Sequence, residues 1–347
     1  MSESILSVRD LQISFNTYAG TVQAVRGISF DLLQGETLAI VGESGSGKSV
    51  TTKAILGILP ANAVLGSGSI LYRNQDLTKI DEEAFHHIRG KQISLVFQDP
   101  LSALNPIMRI GKQIMEALTL SAGMKRDQAR MEAIKLLGAV GISDPHRRIH
   151  QYPFEFSGGM RQRIVIAIAL ASNPELLICD EPTTALDVTI QAQILELIGD
   201  IKKERGLSII LITHDLGVVA NMADRVAVMY AGRIVETGTS EEIFYDPRHP
   251  YTWALLSSMP DLETKEELFA IPGTPPNMLF PPPGDAFHQR NKFALKIDTR
   301  EAPPFFSISP THQVASWLMD PRAPKAQMPG ALRHRIDRMK ARAAYAQ

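Results

Sequence analysis

The chain has 347 residues, 44% of them apolar and 21% charged, a composition ordinary for a globular protein with room for two domains or for one large domain with an appendage. Its formal net charge of −1 argues against bulk attraction to nucleic acid or anionic lipid. The single cysteine, Cys179, excludes an intramolecular disulfide and suits a reducing compartment. No run of about 18 uncharged apolar residues encodes a membrane span, and Met1-Ser2-Glu3-Ser4 lacks a basic-then-apolar signal pattern. The expectation is a soluble cytosolic protein whose contact with a membrane comes through a partner.

The first forty residues read as short strands, Ile5 to Val8, Leu11 to Phe15, Val22 to Val25 and Ile28 to Leu32, separated by Gly20 and Gly27. An apolar run, Thr37 to Val41, then meets Gly42-Glu43-Ser44-Gly45-Ser46-Gly47-Lys48-Ser49, and a helix is expected from Lys48 to Leu59. Strands follow at Gly68 to Tyr72 and Ile93 to Phe97. Between about 110 and 150 the periodicity turns helical, at Gln113 to Leu120 and Arg126 to Leu137, which reads as an inserted helical subdomain spanning about 100–160. Alternation then resumes: a helix from Met160 to Ala171, strand Leu176 to Cys179, helix Thr189 to Lys203 closed by Gly206, strand Ser208 to Ile212, helix Leu216 to Ala223 and strand Val226 to Met229. This is an α/β pattern with a mostly parallel sheet covered by helices. Beyond about 240 the prolines crowd (Pro272, Pro275, Pro276, Pro281, Pro282, Pro283), predicting a loop-rich C-terminal extension over 241–325 and a basic tail over 326–347.

Residues 42–49 fit the phosphate-loop pattern G-x-x-x-x-G-K-[ST] without a mismatch, and they sit between a strand and a helix as that motif requires. Glycines let successive backbone N–H groups turn inward toward phosphate oxygens, and the helix N-terminus adds partial positive charge. Gly42, Glu43, Ser44, Gly45, Ser46, Gly47, Lys48, Ser49 and Val50 are therefore the candidate ATP-binding run, with Lys48 on the terminal phosphates and Ser49 on Mg2+. Leu176 to Glu181 is a buried strand ending in two carboxylates. Asp180 is placed on the metal, commonly through water, and Glu181 polarises the attacking water. Gln98, just after a strand, can touch both metal and water. His214 follows another strand, and Ser157 is a natural N-cap before bare Gly158-Gly159.

Taken together, residues 5–240 resemble an ABC-transporter nucleotide-binding subunit, a P-loop (RecA-like) ATPase with an antiparallel β subdomain and a helical subdomain. Phe156-Ser157-Gly158-Gly159-Met160-Arg161-Gln162 is similar to that family's signature, and Val96-Phe97-Gln98-Asp99-Pro100 to its Q-loop. His214 falls where the family has a switch histidine on the γ-phosphate, and Ala185-Leu186-Asp187 where it has the D-loop. The resemblance implies dimerisation, with Ser157, Gly158, Gly159, Met160 and Asp187 acting in trans on a partner's nucleotide. It also implies an aromatic residue stacked on adenine, for which Tyr18 is the candidate and Phe15 the rival. Val50 departs from a threonine common in relatives. The strings above, with Glu181 to Thr189, His249-Pro250-Tyr251-Thr252 and Ile271 to Pro276, look like the oligopeptide/dipeptide importer branch. That branch implies a related but distinct second ATPase, two transmembrane permease subunits, an extracytoplasmic peptide-binding protein and work at the cytoplasmic face of the membrane. A non-peptide importer, for nickel for example, stays open as an alternative. A nucleic-acid or ribosome ATPase is disfavoured by the single cassette, the absence of a long heptad run and the charge balance.

Many peptide-importer ATPases carry four cysteines in this region. Here the aligned positions hold Asp285, Asn291, Asp298 and Ser316, none a soft thiolate, so no iron–sulfur cluster is expected. The tail from Arg333 to Arg342 reads as a solvated helix or frayed end, with contact to anionic lipid or a partner as the alternative.

Overall fold

A computed structural model describes residues 3–184, 186–259 and 270–345. Ala185, placed above in the D-loop, lies outside the described residues.

The chain opens with β1 (Ser4–Thr17) and β2 (Gly20–Leu33), two 14-residue strands joined by a tight turn. Each was read from sequence as two short strands. In β1 the apparent break is a bulge at Asp10 (φ 45°), and in β2 Gly27 (φ 80°) kinks the strand without ending it. Next come β3 (Thr37–Val41), α1 (Lys48–Ile55), β4 (Ala63–Tyr72), β5 (Gln75–Asp76), α2 (Glu82–Ile88) and β6 (Ile93–Val96). The helix α1 stops short of the expected Leu59 because Gly57 takes φ 62° against the Phe85 ring. Helix α2 was missed; Asp81 caps it by accepting from Ala84 N at 2.8 Å. The pair β1–β2 together with β4 and β5 forms a four-stranded antiparallel sheet in the order β2-β1-β4-β5.

The inserted helices are α3 (Pro100–Ala103), α4 (Ile110–Ser121), α5 (Arg126–Ala139), α6 (Pro145–Arg148) and α7 (Gly158–Ala169). Their apolar faces close on one cluster that includes Ile114, Leu118, Leu137, Phe156 and Ile164, each no more than 3% exposed. Beyond them lie β7 (Leu176–Asp180), α8 (Val188–Arg205), β8 (Ser208–Ile212), α9 (Leu216–Met222), β9 (Arg225–Tyr230) and β10 (Arg233–Thr239). Asp187 and Asp215 cap α8 and α9, and Gly206 (φ 65°) ends α8, as their residue types predict.

The C-terminal extension contributes α10 (Ser240–Tyr245), α11 (Pro250–Ser257), β11 (Phe305–Ser307), β12 (Gln313–Ala315) and α12 (Gly330–Tyr345). It is not a separate unit. Strand β12 pairs with β10, so the main sheet runs to eight strands in the order β11-β12-β10-β9-β3-β8-β7-β6. The five consecutive strands β9-β3-β8-β7-β6 are parallel, and their near-continuous apolar sequences reflect burial on both faces. The basic tail differs from expectation too. Leu332 and Ile336 of α12 are 3% and 4% exposed, and Arg335 donates to the Leu256 and Met259 carbonyls, so one face of the helix is docked on α11.

The four positions aligned with the cysteine pattern are buried, and each accepts a hydrogen bond from nearby backbone. Asp285 takes Phe287 N (3.0 Å), Asn291 takes Phe293 N (2.9 Å), Asp298 takes Leu295 N (2.6 Å) and Ser316 takes Leu318 N (3.3 Å). They hold the extension's turns one by one. Burial pushes the Asp285 carboxyl up to about 6, with Asp298 repelling and His288 and Arg233 attracting its charge. The folded chain thus holds a proton that the unfolded chain releases from pH 3.8 upward, and the stability this contributes is lost as pH rises through 6. Asp285→Asn, neutral throughout, should gain up to about 3 kcal/mol over wild type at pH 7 and nothing near pH 4. Denaturant titrations at the two pH values check this; an equal gain at both would contradict it.

Candidate functional site

Parallel strands in register bring four loops to one edge. Val96 pairs with Cys179, Asp180 with Ile212 and Ile40 with Ile212, so the residues following β6, β7, β3 and β8 emerge side by side. In open α/β sheets that carboxyl edge is where ligands bind.

The phosphate loop follows β3. A Cβ on Gly42 (φ 152°) would lie 2.0 Å from the Met229 carbonyl oxygen, and one on Gly47 (φ 106°) 2.6 Å from the Ala24 carbonyl oxygen. Only glycine fits where the loop threads between β9 and β2. Lys48 is 5% exposed, and its Nζ donates to the Gly42 and Glu43 carbonyls at 2.8 and 3.0 Å. Burial lowers its pKa, while Glu181, Asp180 and Glu43 act in the opposite sense. Ser46 is buried, Ser44 and Gly45 are exposed on the outer turn, and Val50 packs partly into the core behind the loop.

Ser49 Oγ donates to Asp180 Oδ1 at 2.9 Å, which makes a hydroxyl–carboxylate pair of the oxygen type that hard divalent cations take. Burial raises the Asp180 pKa, and the Ser49 hydrogen bond opposes this. The neighbouring Glu181 sits at φ 49°, in the left-handed region, and its N–H is tied to the Ile212 carbonyl at 2.9 Å. Such strain persists where surrounding contacts fix it, commonly at functional sites. The Oε2 atom of Glu181 accepts from Gln98 Nε2 (2.9 Å) and Thr184 Oγ1 (3.0 Å), and Oε1 lies 3.5 Å from His214 Nδ1. Thr184 was not anticipated, although Thr183-Thr184 directly after the carboxylates was a visible hydroxyl signal. Cys179, wholly buried in β7 with its thiol pushed up to about 12, is packing.

The remaining predicted residues stand outside this cluster. Ser157 caps α7, accepting from Met160 N at 3.4 Å; Gly158 is exposed, and Gly159 is pressed on α8, where a Cβ would meet Ile190 Cγ2 at 2.5 Å. Met160 is half-buried, and Asp187 accepts from Ile190 N at 3.0 Å. Among the described residues no hydrogen bond or ion pair links these side chains to Lys48 or Glu181. Tyr18 is fully exposed at the tip of the β1–β2 hairpin, whereas Phe15 is half-buried.

An eight-stranded sheet with a phosphate loop, paired carboxylates, an antiparallel β subdomain and a helical insertion defines an ABC-type ATPase, a fold that implies ATP binding. A family model for ABC transporters matches residues 25–184, and one for the oligopeptide/dipeptide transporter C-terminal region matches 235–297. The chain is 58% identical to the oligopeptide transport ATP-binding protein OppD of Bacillus subtilis over 96% of this chain and 94% of that one. It is 57% identical to the dipeptide transport ATP-binding protein DppD of Lactococcus lactis over 93% of each. A component of the cbiONQ ABC transporter complex of Clostridium perfringens is 30% identical, with a TM-score of 0.61 over 70% of this chain and 92% of that one. A dimeric bacterial ABC transporter cassette is 25% identical with a TM-score of 0.61, over 68% and 98%. The chain belongs to the oligopeptide/dipeptide transport ATP-binding protein family.

The two loop glycines predict unequal sensitivity. Gly47→Ala meets backbone and should weaken MgATP binding by at least about tenfold. Gly45→Ala, with open space at its Cβ, should cost less despite φ 79°. Calorimetric titration of both variants checks the order.

Proposed function

We propose that the chain binds MgATP on residues 42–50 and hydrolyses it with Glu181, driving an importer of peptides. The observation that carries this reading is the convergence of Lys48, Ser49, Asp180, Glu181, Gln98 and His214 at one sheet edge. Lys48, donating now to loop carbonyls, is positioned to turn its ammonium to phosphate oxygens. The fold family implies magnesium, and the Ser49–Asp180 pair, with the Gln98 carboxamide, fits a hard cation; bound with ATP, it would neutralise phosphate charge. Glu181 orients the attacking water and takes its proton. Gln98 and Thr184 fix that carboxylate from one side, and His214 reaches toward the γ-phosphate from the other. Tyr18 stacks on adenine.

Ser157, Gly158, Gly159, Met160 and Asp187 act on the nucleotide of a second cassette, a related but distinct chain. The dimeric state of a solved ABC transporter cassette supports this. In this reading two permease subunits carry the path and this chain works at the cytoplasmic face; among its described residues no helix is long and apolar enough to cross a membrane. An extracytoplasmic peptide-binding protein supplies the substrate. A groove of about 320 Å3 between Leu56, Phe97, Ala103 and Val165 offers those subunits a docking place. Two of the relatives named above are transport ATP-binding proteins for oligopeptides and dipeptides, which puts the peptide reading ahead of nickel.

Glu181→Gln should lower turnover by roughly 10²–10⁴-fold while retaining ATP. Lys48→Ala should weaken MgATP binding by about tenfold or more. ATPase and nucleotide-retention assays run separately distinguish the two, and near wild-type hydrolysis by Glu181→Gln would sink the assignment. Ser157→Arg should impair hydrolysis at the partner's site in a mixed complex and leave this chain's own MgATP affinity intact. Full transport by that complex would contradict the shared site.

A further inference from the structure

Glu43, the second residue of the phosphate loop, is held by the C-terminal extension through two separate groups. Its carboxylate accepts Arg290 NH1 at 2.6 Å and NH2 at 2.9 Å, and its backbone N–H donates to the Tyr251 hydroxyl at 2.8 Å. Its carbonyl is one of the two that take Lys48 Nζ, at 3.0 Å. One residue therefore joins the extension to Lys48, the lysine of the phosphate loop.

The grip is rigid on the extension side. The Arg290 side chain is 5% exposed, and its fork is fixed by Nε to the Pro272 carbonyl (2.8 Å) and NH1 to the Tyr230 hydroxyl (3.1 Å). Its guanidinium lies 5.8 Å from the Tyr230 ring centre and 5.9 Å from that of Phe287. Tyr251 is wholly buried, with its ring 4.5 Å from Tyr230 and 5.2 Å from Phe287. The hydrogen bonds to Glu43 outweigh burial and raise the Arg290 pKa above its usual value. A bidentate Arg–carboxylate bond specifies geometry as well as adding energy, and removing one partner leaves the other charge buried and unpaired.

We propose that Arg290 is a positioning residue for ATP binding: acting through Glu43, it sets the course of the phosphate loop, so nucleotide affinity depends on the extension being docked. Arg290 and the Glu43 carboxylate engage each other and so act through the loop. The extension acts on the loop's main chain and, through the Glu43 carbonyl, on the starting position of Lys48. The inference rests on residues 42–49 being the ATP site.

The test measures MgATP affinity and the split between KM and kcat for full-length wild type, Arg290→Ala, Arg290→Lys, Glu43→Gln and the Arg290→Ala/Glu43→Gln double variant, with thermal melts on each. Misplacement of the loop should raise KM and Kd for MgATP about tenfold in Arg290→Ala and Glu43→Gln, with kcat within about twofold of wild type. Arg290→Lys, which keeps charge but not the fork, should fall between. The double variant should be no weaker than the weaker single, because both remove the same contact. Wild-type affinity in a folded Arg290→Ala chain, a loss confined to kcat, or multiplying effects in the double variant would overturn the proposal. Should Arg290→Ala fail to fold, Glu43→Gln, which keeps the side chain's size but replaces a charged acceptor oxygen with an NH2 donor, decides by the same criteria. The ATP-site reading is checked apart from this by Lys48→Ala. If that variant binds MgATP as wild type does, both readings fall; if it does not and the Arg290 and Glu43 variants bind as wild type, only the positioning role falls.

Discussion

The register of the parallel sheet is the constraint on which the rest depends. Because β6, β7, β8 and β3 are paired in parallel with matched ends, the residues that leave each strand share one edge, and no single loop has to build the site. A one-residue slip in β7 would turn Asp180 away from Ser49 and send a buried side chain out. The burial of all five β3 residues and of β8 throughout is what holds the register. The geometry of the proposed site is thus set by the hydrophobic effect acting on residues buried in the sheet.

On that base the site is tightened by local devices of different kinds. Close backbone approach at Gly42 and Gly47 seats the loop, a strained residue at 181 aims its carboxylate, and hydrogen bonds from Gln98 and Thr184 keep it aimed. Burial acts oppositely on Lys48 and Asp180, lowering one pKa and raising the other. Each therefore resists being charged without a counter-charge, a property suited to a site that receives a highly charged ligand. The extension adds a second layer of support. It completes the main sheet through β12 and grips Glu43 through Arg290 and Tyr251.

Much of this was legible from the chain. The phosphate loop, the strand that ends in Asp180-Glu181 and the helix cap Ser157 are local patterns whose chemistry lies within a few residues. Strand Ser208–Ile212 came out with its observed bounds, since a short β-branched run buried on both faces has few other homes. Apart from helix α2, whose cap at Asp81 is local, what failed was whatever depends on distance along the chain. The bulges at Asp10 and Gly27 looked like breaks because cross-strand pairing, absent from a linear reading, carries the strand through them. The proline-rich extension read as a separate piece because nothing near β12 announces its pairing with β10. The docked face of α12 rests on two apolar residues amid a basic run, too weak a stripe to outweigh the charge. The Glu43–Arg290 pair spans 247 positions and has no local signature.

Hydrogen–deuterium exchange with and without MgATP tests the central claim most directly, since it reads every amide of the folded chain at once. The account predicts slowed exchange across 42–52, with lesser slowing at the segments following β6, β7 and β8. Unchanged exchange at 42–52 under saturating MgATP, or protection confined to a surface away from that sheet edge, would contradict it.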